Sequence, residues 1–155
     1  MKKVLFVCTG NTCRSPMAEH IYNQMAKDRG CENTHEAISA GVYTVEGDPA
    51  TAGAVAALKS IFEINLKGHM SKLLDADMLD DSWLILTMTR HHIESIRDSF
   101  PDMEKQIFTL KEFAKYDESE WDISDPYGTS DEEYEMCAEE IADALERAAD
   151  KLFEE

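Results

Sequence analysis

The chain has 155 residues, 43% of them hydrophobic, and a formal net charge of −17. That length buries roughly 70% of the surface its unfolded form exposes, so residues 1–155 are expected to form one domain with a full core. The acidic excess, densest after residue 117, argues against nucleic acid and anionic membrane surfaces as partners. The basic start Met1-Lys2-Lys3 leads into an apolar run that ends at Cys8, too short for a signal-peptide core or a membrane span, which points to the cytoplasm.

Residues 2 to 7 read as a buried strand running straight into Cys8-Thr9-Gly10-Asn11-Thr12-Cys13-Arg14-Ser15. Gly10 and Asn11 tolerate left-handed backbone, and Ser15-Pro16 reads as an N-cap followed by the first helical residue. Ala18, Ile21, Tyr22 and Met25 then recur at helical spacing until Gly30. A loop of this kind turns its N–H groups toward an anion, and the helix dipole adds partial positive charge. Those dipoles, the Arg14 guanidinium and the Ser15 hydroxyl all favour a thiolate over a thiol at Cys8. Arg14 offers a planar fork that suits two phosphoryl oxygens.

A second strand is expected over residues 35 to 40, and Asp48-Pro49 can start a helix whose Val55, Leu58 and Phe62 share a face. Trp83-Leu84-Ile85-Leu86 reads as a third strand. Thr89 can cap a helix carrying Ile93, Ile96 and Phe100 that Pro101 ends, with His91-His92 on its surface. Gln106 to Thr109 give a shorter fourth strand, and residues 116 to 129 are the longest irregular stretch, a kind of loop that often carries function. Ser130-Asp131-Glu132-Glu133 resembles a capping box, followed by a long helix with Tyr134, Cys137, Ile141, Leu145, Ala148 and Leu152 on one face. Strands alternating with helices predict an α/β fold, a four-stranded parallel sheet with helices on both faces and a ligand site at the carboxyl ends of the strands.

Four cysteines without a small-domain disulfide pattern suit a reducing compartment, with Cys31 and Cys137 read as packing residues. The spacing of His, Cys and carboxylates suggests no metal site, and thiol chemistry calls for no cofactor.

The run Val7 to Glu19, with Cys8, Arg14, Ser15 and Pro16 at its centre, resembles the phosphate loop of the low-molecular-weight protein tyrosine phosphatase family. Ser39-Ala40-Gly41, His69 before a short helix and Asp125-Pro126-Tyr127 match that family's landmarks in order along nearly the whole chain. The resemblance implies a Rossmann-like fold and a protein phosphatase that works through a phosphocysteine on Cys8, with Arg14 clamping the phosphoryl oxygens. Asp125, on the irregular loop beside Pro126, is the best candidate to protonate the leaving group and then to activate water. Thr9, Gly10, Asn11, Thr12, Cys13 and Ser15 are expected to bind substrate with the loop, and the resemblance implies that Asn11, Ser15, Ser39 and His69 hold it in shape. Tyr43 and Tyr127 are candidates for an aromatic wall. The resemblance also implies that Cys8 and Cys13 can close a reversible disulfide, the alternative being that Cys13 packs beneath the loop.

Within the family the sequence most resembles the bacterial protein arginine phosphatases, because Thr12 stands where tyrosine phosphatases typically carry isoleucine. A hydroxyl there can partner a guanidinium that an aliphatic side chain would desolvate. Gly128, where many tyrosine phosphatases place a second tyrosine, points the same way. The expected partners are therefore proteins phosphorylated on arginine, with tyrosine phosphatase activity as the rival reading. Arsenate reduction, which needs a pair of resolving cysteines, and a noncatalytic phosphate-binding module are the less favoured alternatives.

Overall fold

The computed structural model describes residues 1–154. Its centre is β1 (Lys2–Cys8), flanked by β2 (His35–Gly41) and β3 (Leu84–Thr87), with β4 (Ile107–Thr109) beyond β3. All three pairings are parallel and the strand order is β2-β1-β3-β4. Parallel neighbours require crossovers over the faces, and these are supplied by α1 (Arg14–Asp28), α2 (Ala52–Phe62), α3 (Ala76–Asp81) and α4 (Arg90–Ser99). Short α5 (Leu110–Phe113), a 3₁₀ turn (Glu118–Glu120), α6 (Asp131–Arg147) and α7 (Ala149–Leu152) complete the chain. This is the α/β architecture expected, with helices on both faces.

Side chains of a strand alternate between faces, so β1 feeds two cores. Val4 and Phe6 pack with Met17, Tyr22, Leu58, Ile141 and Leu145 beneath α1, α2 and α6. Leu5 and Val7 pack with Leu79, Ile85 and Ile96 beneath α3 and α4. Because both faces are covered, β1 is apolar from Val4 through Val7 and fully buried there.

Several element ends differ from the sequence reading. The first helix starts at Arg14 with Cys13 as its N-cap, and Ser15 caps nothing because its hydroxyl is turned toward Cys8. The second is capped by Thr51, whose side chain accepts from Ala54 N; Asp48 instead pairs with Ser71 through its main chain. The third strand begins at Leu84 rather than Trp83, and Phe100 caps α4 from just outside it. Ser130 caps α6 by accepting from Glu133 N, and the terminal helix breaks at Ala148 into α6 and α7.

The strand order places a topological switch at β1, since the chain leaves it toward β2 on one side and later returns to pair β3 on the other. Crevices for ligands open at the carboxyl ends of strands at such a point. The residue standing there is Cys8.

Candidate active site

Cys8 closes β1 and is 2% exposed, at the floor of a cavity of about 190 Å³ lined by Thr9, Gly10, Thr12, Cys13, Arg14, Asp125 and Tyr127. The Ser15 hydroxyl lies 2.9 Å from the Cys8 sulfur. Asn11 donates its side-chain amide to Ser15 Oγ at 2.9 Å, occupying a lone pair there, which leaves the hydroxyl proton free for the sulfur.

Asn11 is the keystone of the loop. It adopts φ 56°, a left-handed conformation that the side chain helps to hold. Its amide donates to Ser39 Oγ at 2.9 Å as well as to Ser15, and its Oδ1 accepts from Lys72 N at 2.9 Å. Its carbonyl accepts from His69 Nε2 at 2.7 Å, an assignment fixed because a carbonyl cannot donate. Ser39 in turn donates to Glu19 Oε1 at 2.6 Å. Ser39 and His69 therefore both contact the loop through Asn11. The side chains of Asn11 and Ser15 lie outside the cavity lining, bonded to one another behind the loop.

Gly41, at the end of β2, explains how strand and loop can lie so close. A Cβ there would stand 2.6 Å from the Thr9 carbonyl oxygen and 3.0 Å from the Gly10 carbonyl carbon, both backbone atoms that cannot swing aside. The main chain exploits this approach: Val42 N donates to Cys8 O and Tyr43 N to Thr9 O, both at 3.0 Å.

Arg14 is 4% exposed. Its Nη1 donates to Ile123 O at 2.8 Å and its Nη2 lies 3.6 Å from Asp125 Oδ2. Its Nε has no partner among the described residues, although it is fully buried. A buried guanidinium N–H without an acceptor is costly, and an anion in the cradle is the kind of group that satisfies it.

Asp125 reaches the cavity because the irregular segment before it is pinned at Ile123. That residue is fully buried, donates its N–H to Met88 O at 2.9 Å and accepts from Arg14. Further out, Asp122 Oδ1 accepts from Arg90 N at 2.8 Å, and the Arg90 guanidinium lies over Trp121. Asp125 itself accepts from Tyr127 N at 3.0 Å and from the Cys13 thiol at 3.4 Å. Burial foremost, with the Asp125 and Cys8 charges adding to it, pushes the Cys13 thiol far above its ordinary value. Cys13 is thus a protonated donor that steadies Asp125, and all four cysteines are free thiols.

Of the two tyrosines, only Tyr127 lines the cavity. Tyr43 is 84% exposed and outside the lining, so the expected aromatic wall is one-sided.

His92, read from sequence as surface, is buried at 3% exposure, whereas its neighbour His91 is exposed. Its Nδ1 accepts from Thr89 N at 3.1 Å, and Thr89 Oγ1 accepts from His92 N, a reciprocal cap on α4. The proton therefore resides on Nε2, 2.9 Å from Thr9 Oγ1 on the phosphate loop. Sequence reasoning missed this residue because the partner across the fold is 83 positions away. The local signal was the Thr89-x-x-His92 spacing, which escapes a search for Glu or Gln at that position.

The family model for low molecular weight phosphotyrosine protein phosphatase matches residues 3–155. The chain is 36% identical over 150 residues to a protein-arginine-phosphatase of Bacillus subtilis (strain 168), covering 96% of this chain and 95% of the relative. A crystal structure of a low molecular weight protein tyrosine phosphatase from T. tengcongensis superposes with a TM-score of 0.90 at 41% identity, covering 98% of this chain and all of that one. The YwlE arginine phosphatase, solved as a mutant with a phosphorylated active site serine, superposes with a TM-score of 0.88 at 34% identity over 97% of this chain and 95% of that one. With the match spanning nearly all of its length, this chain belongs to the low molecular weight phosphotyrosine protein phosphatase family.

Proposed function

We propose that the chain is a protein-arginine phosphatase that acts through a phosphocysteine on Cys8. The observation that carries the reaction is the convergence of Cys8, Arg14 and Asp125 on one small cavity, with the buried Arg14 Nε still lacking an acceptor. A phosphoryl group held by the loop and by the guanidinium stands over the Cys8 sulfur. The thiolate, favoured by the Ser15 hydroxyl and the loop dipoles, attacks phosphorus and the P–N bond breaks. Asp125 gives its proton to the departing guanidine nitrogen, which as a free base is too strong to leave unprotonated. Its ionised carboxylate then takes a proton from the water that hydrolyses the phosphocysteine, and Cys8 is released as thiolate with inorganic phosphate. The solved arginine phosphatase with a phosphorylated active site serine supports a covalent course in a similar protein.

The choice of phosphoarginine rests on Thr12, which lines the cavity, and on similarity to the arginine phosphatase of Bacillus subtilis. A hydroxyl at that point gives the guanidinium N–H groups a partner, whereas an aliphatic side chain strips water from them without replacing it. A second reading, phosphotyrosine, is favoured by the 41% identity to the T. tengcongensis enzyme, since an aromatic ring would fit against Tyr127.

Thr12→Ile, assayed on phosphoarginine and phosphotyrosine proteins beside the wild type, separates the two. The arginine reading predicts a selective loss of P–N hydrolysis of about tenfold or more, in line with the cost of an unpaired buried polar group. Equal effects on both substrates would remove Thr12 as the selector.

A further inference from the structure

Behind the phosphate loop lies a second cavity of about 290 Å³, lined by Glu19, His20, Ser39, Gly68, His69, Met70 and Lys72 and separate from the Cys8 cavity. Glu19, His20 and His69 each offer one ligand atom there, all within 4.8 Å of one another. Glu19 Oε2 and His20 Nε2 stand 3.5 Å apart, already close to the spacing of about 3.4 Å between tetrahedral ligands on Zn²⁺. The separations, none above 4.8 Å, need to close by at most about 1.4 Å, within reach of small side-chain rotations.

The surroundings are arranged as metal sites arrange them. A ligating histidine commonly donates its other ring N–H to a carbonyl or carboxylate, which fixes the tautomer and aims the free nitrogen. His69 does so: Nε2–H is given to Asn11 O at 2.7 Å, leaving Nδ1 as the ligand atom. Glu19 is oriented in the same way, with Oε1 accepting from Ser39 at 2.6 Å and Oε2 left for a cation. Lys72 is the one basic side chain in the lining apart from the histidines. It is exposed, and its long stem lets the ammonium move away into water.

We propose that Glu19, His20 and His69 bind one divalent ion of the zinc class, with the fourth position open to water. Two imidazoles and one carboxylate favour zinc and its first-row neighbours over magnesium or calcium, which prefer all-oxygen sites. The ion would connect two ligands that both support Asn11, His69 directly and Glu19 through Ser39. It would thereby brace the left-handed turn of the phosphate loop from behind. Sequence spacing offered no hint, because His69 comes to Glu19 and His20 only through the fold.

The proposal is independent of the substrate assignment and is tested by binding. Zn²⁺ titrated calorimetrically into the Cys8→Ser protein, which removes the most reactive competing thiol, should bind at one equivalent. Adding His20→Gln should weaken that binding by about a hundredfold or more, since a first-row site loses one of three ligands. His20→Gln alone should leave metal-free turnover unchanged. Co²⁺ bound to the wild type should show tetrahedral d–d bands without a thiolate charge-transfer band, and should raise the thermal midpoint. Binding unaffected by His20→Gln, a thiolate band that accounts for all the bound Co²⁺, or no binding at micromolar metal would each overturn the site.

Discussion

Single residues divide the work at the cavity by what surrounds them. Cys8 has the Ser15 hydroxyl 2.9 Å from its sulfur, Arg14 is locked by Ile123 O with its buried Nε–H lacking an acceptor among the described residues, and Asp125 is half-exposed and held by Tyr127 N and the Cys13 thiol. The resting contact of Asp125 with Arg14, at 3.6 Å, has a consequence for mutagenesis. Asp125→Ala removes the proposed proton donor and should lower kcat by about 10² to 10⁴. It also frees the Arg14 fork, so the inhibition constant for inorganic phosphate should stay the same or fall. Unchanged kcat at saturating substrate would take Asp125 out of the mechanism. Cys8, Arg14 and Ser15 could be picked out from the sequence because all three lie within one short run, from the end of β1 to the first turn of α1. The roles of Asn11 and Ser15 were less readable: the sequence cannot say whether a loop side chain faces the cradle or the packing behind it.

The elements are tied to the loop by contacts that depend on sheet order. The cap of α4 joins β3 to the phosphate loop through His92, whose Nδ1 takes the Thr89 N–H and whose Nε2–H reaches Thr9. Burial foremost, then the Arg14 and His91 charges, push His92 down to about 4, with Asp122 and Asp125 acting the other way. An unfolded chain binds this proton as pH falls below its ordinary 6.5, while the folded chain refuses it until about 4. The stability contributed by neutral His92 is therefore complete above pH 6.5 and declines between 6.5 and 4. His92→Gln should flatten the loss of denaturant stability across that window, and the His92 ring resonances of the wild type should not titrate until about pH 4. Titration near pH 6.5 would contradict the buried, neutral imidazole. The long periodic helices and apolar strands were readable in the sequence, since periodicity survives without tertiary context. Of the short helices, α3 was expected only as an unplaced short helix after His69, and α5 was not read at all, because four to six residues carry too little pattern. Thr51 rather than Asp48 caps α2 because the helix begins only at Ala52, while the main chain of Asp48 pairs with Ser71.

At the scale of the whole molecule, sheet order and charge set access to the site. The order β2-β1-β3-β4 puts Cys8 at the switch point; the strand-helix alternation read in sequence placed it only at the carboxyl end of a parallel strand. The contacts of Ser39, His69 and His92 with the loop depend on which strands become neighbours and so required the structure. A net charge of −17 repels a phosphorylated substrate until it nears Arg14, and attracts basic segments. Added salt should therefore lower kcat/KM for a phosphopeptide rich in lysine and arginine and raise it for an acidic one, with kcat unchanged for both. The same salt response for both peptides would deny any role to the acidic body. Rapid chemical quenching during turnover of a phosphoarginine protein reads the state of the Cys8 sulfur itself. A phosphoryl adduct should appear on the peptide carrying Cys8 and decay as inorganic phosphate accumulates, and Cys8→Ser should not turn over. Phosphate release without any adduct at Cys8, or turnover that persists in Cys8→Ser, would contradict the account.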